Sequence, residues 1–315
     1  MRADLLRSTV EQARSGSVEL MDVQSPRRSC LSVPGSSEKM LAKAPTLGAD
    51  ELVLDLEDAV TPGAKDDARA RVTVSLASGQ FDGANVAVRV NAPGTPWCHA
   101  DLIALAGASG KLRSVVLPKV ESAGDLAFAD RLLDGAERAA GRDRPLRIQA
   151  LIETASGLAC VREIAAASSR LDGLILGYAD LAASLGRSEA GARDLDGWRP
   201  AQEAVLTAAR ANGLQAIDGP YLGVAVDDGF VAAATRARDA GFDGKWAIHP
   251  SQVAALNELF TPGEAELERA RAVITALEGA ERDGARGAVA LDGEMLDEAV
   301  RVAALRTLAR GAVRR

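Results

Sequence analysis

The chain has 315 residues, with 37 Lys and Arg against 44 Asp and Glu and a formal net charge of −7. An acidic chain without a basic block lacks the clustered cations that phosphate contacts need, which argues against nucleic-acid binding. No apolar run reaches the ~18 residues of a membrane span, and residues 1–20 lack the apolar segment of a secretory signal. With three widely spaced cysteines and two histidines, the composition predicts a cytoplasmic protein without disulfide bonds or a His-rich metal site.

Short β-rich runs alternate with longer Ala-rich helical stretches after residue 25. This alternation predicts parallel βαβ units, and eight such units predict a closed (β/α)₈ TIM barrel. The predicted strands cover residues 29–33, 51–56, 85–91, 113–119, 146–153, 171–177, 214–218 and 243–249. We therefore expect an N-terminal extension at residues 1–25, a barrel catalytic domain at 26–260 and a C-terminal helical extension at 261–315.

Beyond the last predicted strand, three more helical stretches are predicted at residues 250–260, 261–280 and 294–309. A single (β/α)₈ barrel does not need all three of these helical stretches after its eighth strand. In the last stretch, apolar residues recur every fourth position and so share one helical face; they are Leu296, Val300, Ala304 and Leu308. We expect this extension to cap the barrel or to pack on a neighbouring subunit.

Polar residues collect at the C-terminal ends of the predicted strands, where such barrels carry their chemistry. They are Asp55, Glu57, Asp58, Arg89, Asn91, Lys119, Glu153, Asp180, Asp218 and His249. Because alternate residues of a strand share a face, Arg89 and Asn91 are predicted to point into the barrel mouth and the neighbouring valines toward the helices. Carboxylates beside an inward Arg predict a metal and anion site, and oxygen ligands favour a hard cation such as Mg²⁺.

Each of these residues also has a structural interpretation. Glu153 and Asp180 are both compatible with capping the helix that begins beside them. The three acidic residues after the second strand are compatible either with ion pairs to Arg89 or Lys119 or with support of metal-bound waters. Lys119 is compatible with a Schiff base to a carbonyl substrate, with phosphate binding or with an ion pair, and the last two are favoured.

Nine sequence segments run in order from about residue 28 to residue 309. They read SVPGSSEKM, VLDLEDAV, VRVNAPGTPW, VVLPKVES, ALIETASGL, GYADLAASLG, AIDGPYL, GFDGKWAIHPSQ and GAVALDGEMLDE. Together they resemble the citrate lyase β-subunit-like proteins of the HpcH/HpaI aldolase superfamily, which act as CoA-ester lyases. The resemblance implies a (β/α)₈ barrel that assembles as a homotrimer or hexamer. It also implies an enzyme that uses Mg²⁺ and cleaves or forms a C–C bond between an acyl-CoA enolate and a 2-keto acid.

The resemblance also implies roles for individual residues. Glu153 and Asp180 would be the Mg²⁺ ligands, and Arg89 would bind the carboxylate or carbonyl oxygens of the substrate. Asp297, within the segment GEMLDE, would be the acid or base that a neighbouring subunit places over the site.

Two further pairs of residues follow from the same resemblance. Glu57 and Asp58 would support the metal-bound waters, while Lys119 and Pro250 would lie near the mouth where CoA enters. At Ala179 the chain departs from the family pattern, which often has an acidic residue before this aspartate. The departure removes no implied catalytic group.

Three activities are compatible with these residues. The first is a lyase that acts on malyl-CoA, citramalyl-CoA or a related 3-hydroxyacyl-CoA. The second is a malyl-CoA-type thioesterase, in which the same site directs water at the thioester. The third is the citryl-carrier-protein lyase subunit of a citrate lyase complex. A non-catalytic binding protein would belong to another class, and the filled catalytic positions argue against it.

Overall fold

The computed structural model describes residues 25–108, 112–282 and 289–312. Eight parallel strands close into a barrel in sequence order, and β8 pairs with β1 through Trp246 and Cys30. The strands are β1 Ser29–Pro34, β2 Glu51–Asp55, β3 Val86–Arg89, β4 Leu112–Leu117, β5 Arg147–Ile152, β6 Leu171–Leu176, β7 Gln215–Asp218 and β8 Gly244–Ala247. The predicted (β/α)₈ barrel is confirmed, and residues 1–24 of the predicted N-terminal extension lie outside the described residues.

Helices follow the strands around the outside of the barrel and continue into the C-terminal extension. They are α1 Glu38–Lys43, α2 Lys65–Ala77, α3 Cys98–Ala106, α4 Ala123–Ala140, α5 Ala155–Ala159, α6 Val161–Ala165, α7 Tyr178–Ser184, α8 Glu189–Arg193, α9 Arg199–Ala211, α10 Asp228–Ala240, α11 Ser251–Leu259, α12 Glu264–Arg282 and α13 Glu298–Gly311. None of the helices in these described parts of the chain has both the length and the apolar character needed to cross a membrane.

The side chains of the barrel strands separate into an inner and an outer set. The inner set is an apolar layer with one residue from each strand, namely Cys30, Val53, Ala87, Val116, Leu151, Ile175, Ile217 and Trp246. Residues at the alternate positions, including Val86, Val88 and Val90, belong to a larger cluster that packs against the helices. The alternation predicted for the third strand therefore holds from Val86 to Val90.

A buried ion-pair network fills the N-terminal end of the barrel. Arg27 Nε lies 2.9 Å from Glu51 Oε1, and Arg27 Nη2 lies 3.0 Å from Asp172 Oδ2. Gln149 donates hydrogen bonds to both oxygens of Glu51, each at 3.1 Å. Pairing and hydrogen bonding offset part of the cost of burying these charges. The open end is the one at which the strands terminate.

The C-terminal extension has its own small core. Ala270, Val273 and Leu277 of α12 pack with Leu296 and Ala304. Residues 294–296 are not the beginning of a helix, as the spacing of apolar residues predicted, but strand β10 Glu294–Leu296, which pairs with β9 Val289–Leu291.

The reason for the hairpin is local. Asp292 and Gly293 separate the two strands and have φ angles of 52° and 84°. Positive φ at both central residues is the conformation of a type I′ turn, for which Asp-Gly is a preferred sequence. This turn signal overrides the helical spacing, and α13 begins only at Glu298.

Candidate active site

An arginine with a fixed orientation lies at the open end of the barrel. Arg89, the last residue of β3, donates from Nε to Asp55 Oδ1 at 2.8 Å and from Nη2 to Asp55 Oδ2 at 2.6 Å. Its Nη1 lies 3.0 Å from Glu57 and 3.3 Å from Asp58, and its Cζ lies 5.8 Å from the centre of the Trp246 ring. A bidentate carboxylate pair fixes the plane of a guanidinium group, so Arg89 presents a preorganised positive charge.

Three carboxylates surround a single ammonium group beside this arginine. Lys119 Nζ lies 2.7 Å from Glu57, 3.3 Å from Asp180 and 3.8 Å from Glu153. The backbone N–H of Lys119 also donates to Glu153 Oε1 at 2.9 Å. Lys119 has a φ of 50°, a left-handed conformation that is uncommon outside glycine. The structure thus brings together residues that follow four different strands.

Burial changes the protonation of this cluster. Burial raises the pKa of Glu153 to about 8, and the nearby Glu57 carboxylate adds to the effect. Burial of the Lys119 ammonium opposes its charge, but the hydrogen bond to Glu57 and the field of Glu153 outweigh it and raise the pKa of Lys119. A Schiff base needs a neutral amine, so the structure favours the ion-pair interpretation of Lys119 over the Schiff base.

The caps of α5 and α7 bear on whether Glu153 and Asp180 are helix caps. Thr154, and not Glu153, caps α5, since its side chain accepts a hydrogen bond from the Gly157 N–H. The residue at the N-cap of α7 is Gly177, and Asp180 lies inside the first turn. Neither carboxylate is needed for a cap, and both project to Lys119.

The donor set fits a hard divalent cation. Glu153 and Asp180 both offer carboxylate oxygens, and the acidic residues around Arg89 and Lys119 outnumber these two cations. Within residues 25–108, 112–282 and 289–312, no group of three or more His, Cys, Asp or Glu side chains is arranged to hold a metal. Mg²⁺ is usually held by one or two carboxylates and keeps several waters, and Glu153 and Asp180 supply two carboxylates.

Two predicted site residues lie at the edge of this cluster or outside it. Pro250 directly precedes α11 at the rim of the barrel mouth and is exposed. Asp297 is also exposed, caps α13 and accepts a hydrogen bond from the Val300 N–H at 3.1 Å. Asp297 therefore belongs to the C-terminal extension, and its implied role over the site of a neighbouring subunit stays a prediction.

Two strand-end residues do not face the mouth. Asn91 was predicted to point inward, but its Nδ2 donates to Asp101 Oδ2 on α3 at 2.7 Å. The prediction fails because β3 ends at Arg89, so the alternation of the strand no longer holds two residues later. Asp218 pairs with Lys245 behind the barrel wall. Sequence reasoning missed Lys245 and Trp246, since no local pattern distinguishes them from other strand residues.

Comparison with known proteins identifies the family. The model of the HpcH/HpaI aldolase/citrate lyase family matches residues 28–250. This range contains all eight strands of the barrel and the mouth residues described above. The chain belongs to this family. Its members are aldolases and citrate lyases, so the prediction of a carbon–carbon lyase is confirmed.

Individual members of the HpcH/HpaI aldolase/citrate lyase family are similar over most of their length. The chain is 38% identical to an L-malyl-CoA/beta-methylmalyl-CoA lyase of Cereibacter sphaeroides over 86% of this chain and 90% of the relative. It is 39% identical to a (3S)-malyl-CoA thioesterase of the same species over 90% and 94% of the two chains. The structure of CitE from Mycobacterium tuberculosis with magnesium, acetoacetate and coenzyme A matches with a TM-score of 0.74 at 33% identity and covers 92% of this chain and 99% of CitE.

Proposed function

We propose that this family member is an Mg²⁺-dependent CoA-ester lyase that cleaves or forms the C–C bond of a 3-hydroxyacyl-CoA such as malyl-CoA or citramalyl-CoA. Cleavage would yield acetyl-CoA, or a related acyl-CoA, and a 2-keto acid. The observation that carries the proposal is the convergence of Glu153 and Asp180 on Lys119 Nζ, which Glu57 links to the fixed guanidinium of Arg89. The malyl-CoA lyase relative supports the CoA ester, and CitE, crystallised with magnesium, supports the metal.

Each residue of the mouth has a task in this proposal. Glu153 and Asp180 would hold Mg²⁺, which when bound would supply a Lewis acid for the keto-acid carbonyl. Arg89 presents its fixed charge to the substrate carboxylate or carbonyl oxygens, where negative charge develops. Glu57 and Asp58 would orient metal-bound waters.

The same proposal assigns the path of the CoA ester. Lys119 and Pro250 would line the path by which CoA enters.

We also propose a cytoplasmic location, supported by the three free cysteines Cys30, Cys98 and Cys160.

The bond changes require one base and one acid. A base takes the proton of the 3-hydroxyl group, the bond between C2 and C3 breaks, and its electron pair passes to C2 as a thioester enolate. An acid then protonates C2 to give acetyl-CoA, while C3 becomes the keto carbonyl. We assign the acid to Asp297 of a neighbouring subunit in a homotrimer or hexamer, since Asp297 lies on the separate C-terminal extension.

The test is a cleavage assay on malyl-CoA and citramalyl-CoA in which keto acid, acetyl-CoA and free CoA are followed separately. We expect keto acid and acetyl-CoA in equal amounts, with loss of both on addition of EDTA and in the Glu153→Gln variant. Turnover that persists in EDTA would contradict the metal dependence. No product from either ester would favour a carrier-protein thioester, the substrate of a citrate lyase complex.

Hydrolysis is the second candidate function. The (3S)-malyl-CoA thioesterase relative, 39% identical, favours it. The same site would direct a water molecule at the thioester carbon, and the products would be malate and free CoA. Free CoA without glyoxylate or pyruvate in the same assay would establish hydrolysis and contradict the lyase.

A further inference from the structure

A buried hydrogen-bond network lies behind the first turn of α7. Tyr178 donates from its hydroxyl group to Asp218 Oδ1 at 2.5 Å and accepts a hydrogen bond from Gln202 Nε2 at 2.7 Å. The other oxygen of Asp218 pairs with Lys245 Nζ. All four side chains are buried, with exposed fractions of 8% or less. We call these four residues the α7 anchor.

The α7 anchor lies between the barrel wall and the helices, and not in the mouth. Ile217 and Trp246 face the barrel interior, so their neighbours Asp218 and Lys245 face outward. Gln202 reaches the network from α9. The proposed chemistry uses none of these side chains. Burial of an Asp–Lys pair is by itself weak evidence for a stabilising role, since desolvation offsets most of the attraction.

The α7 anchor is connected to the proposed metal site through Tyr178. Tyr178 and Asp180 lie in the same turn of α7. The Tyr178 ring packs on Trp198 with 5.0 Å between ring centroids, whereas Asp180 extends to within 3.3 Å of Lys119 Nζ. Rotation of this turn about its axis would move both side chains together.

The start of α7 has no side-chain cap. The helix has only seven residues and no side-chain hydrogen bond at its N-cap, Gly177. Behind it, Gly219 approaches the Tyr178 ring so closely that a Cβ atom there would lie 2.7 Å from Tyr178 Cδ2. The phenol is therefore enclosed on its ring face and hydrogen-bonded at its hydroxyl group.

We propose that the α7 anchor orients Asp180 for Mg²⁺ binding, with Tyr178 as a positioning residue. The inference rests on the metal site of the proposed function. The hydroxyl group of Tyr178, held by Asp218 and Gln202, sets the rotation of the first turn and with it the direction of the Asp180 carboxylate. Loss of residues that orient metal ligands typically weakens metal binding about 10–100-fold.

The test compares Mg²⁺ binding by wild-type protein and the Tyr178→Phe variant, measured by titration calorimetry without substrate. The substitution keeps the ring against Trp198 and removes only the hydroxyl group. We expect the Mg²⁺ dissociation constant to rise about 10-fold or more. At saturating Mg²⁺, kcat and the KM for the thioester should return to within about twofold of wild type, which a general loss of structure would not allow.

Two further variants separate positioning from stability. Gln202→Leu removes the hydrogen bonds that Gln202 Nε2 donates to the Tyr178 hydroxyl group and to Asp218 Oδ1. It should weaken Mg²⁺ binding in the same direction, even if Tyr178→Phe folds poorly. Leu133→Val, in the fully buried face of α4, lowers stability without changing α7 or the α7 anchor and should leave Mg²⁺ binding unchanged. If the wild type, Tyr178→Phe and Gln202→Leu bind Mg²⁺ with equal affinity, the anchor role is overturned and the proposed metal site is not. Absence of Mg²⁺ binding by the wild type would overturn both the anchor role and the metal site.

Discussion

At the scale of single residues, Lys119 and the acidic residues around it have different expected roles. Lys119 Nζ contacts Glu57, Asp180 and Glu153 within 3.8 Å, yet only the last two are proposed metal ligands. We expect Glu153→Gln and Asp180→Asn to lower turnover at least ~100-fold, because a metal contributes several kcal/mol of charge stabilisation. Lys119→Ala should retain measurable turnover, since no Schiff base is required.

The measurement is keto-acid release at saturating Mg²⁺. Glu121→Gln is the matched control, because Glu121 is exposed on the loop before α4 and its loss should have no effect. Trapping of substrate on Lys119 by borohydride would contradict the mechanism.

The raised pKa of Glu153 makes Mg²⁺ binding depend on pH. With a pKa of about 8, this carboxyl group is mainly protonated at pH 7 in the metal-free protein, and Mg²⁺ must displace the proton. Affinity should therefore rise with pH and level off above pH 8, about tenfold weaker at pH 7 than at the plateau. Calorimetry in buffers of different ionisation enthalpy should report about one proton released per Mg²⁺ at pH 7. Mg²⁺ binding to the wild type at pH 7 without proton release would contradict this prediction.

At the scale of elements, the junction between β6 and α7 depends on the absence of a side chain. A Cβ atom at Gly177 would lie 2.6 Å from Glu153 Cβ and 2.7 Å from Glu153 Oε2. Gly177→Ala must displace Glu153 or the junction, so we expect weaker Mg²⁺ binding and a loss of about 1–3 kcal/mol in the free energy of unfolding.

Denaturant unfolding and Mg²⁺ titration measure the two effects. Gly135→Ala in α4 is the matched control, because a Cβ there meets no atom within 4 Å and alanine is the better helix former. This control should be neutral or stabilising. If Gly177→Ala binds Mg²⁺ as tightly as wild type, the close approach of Gly177 to Glu153 does not affect the metal site.

The start of α13 allows the two roles of Asp297 to be separated. Asp297 accepts a hydrogen bond from the Val300 N–H and caps the helix. Asparagine is an equally good N-cap, whereas alanine costs about 1 kcal/mol. We expect Asp297→Asn to keep the free energy of unfolding but lose at least ~100-fold in turnover, because an amide cannot transfer the proton. Asp297→Ala should lower both the free energy of unfolding and the turnover. Full activity of Asp297→Asn would restrict this residue to capping.

At the scale of the whole molecule, the proposed site is divided between two parts of the chain. Glu153 and Asp180 lie at the barrel mouth, while Asp297 lies on an extension with its own core. If Asp297 acts on a neighbouring subunit, co-expressed Glu153→Gln and Asp297→Asn chains should regain activity, since about one site in four in a mixed cyclic oligomer combines both intact groups. The measurement is turnover of the mixed protein against each variant alone. Absence of recovery would place Asp297 in the site of its own chain or outside the chemistry.

Much of this architecture follows from the sequence alone. Alternation of strand and helix patterns predicts the barrel, and the two-residue period of strands predicts that Arg89 faces inward while Val88 and Val90 face the helices. These are local properties, set by the backbone geometry of a few residues. The same reasoning failed at Asn91 and at residues 294–296, because it extended a periodic pattern beyond the point at which the element ends.

The sequence by itself determined the fold class, the family resemblance and the set of charged residues at the strand ends, because each depends on local periodicity or on motifs. Only the tertiary structure decided which partner each charge has. Lys119 meets three carboxylates from distant segments, Thr154 and not Glu153 caps α5, and Tyr178 is held by Asp218. Such contacts depend on how strands pair and how helices pack across the whole barrel, and no local pattern encodes those distances.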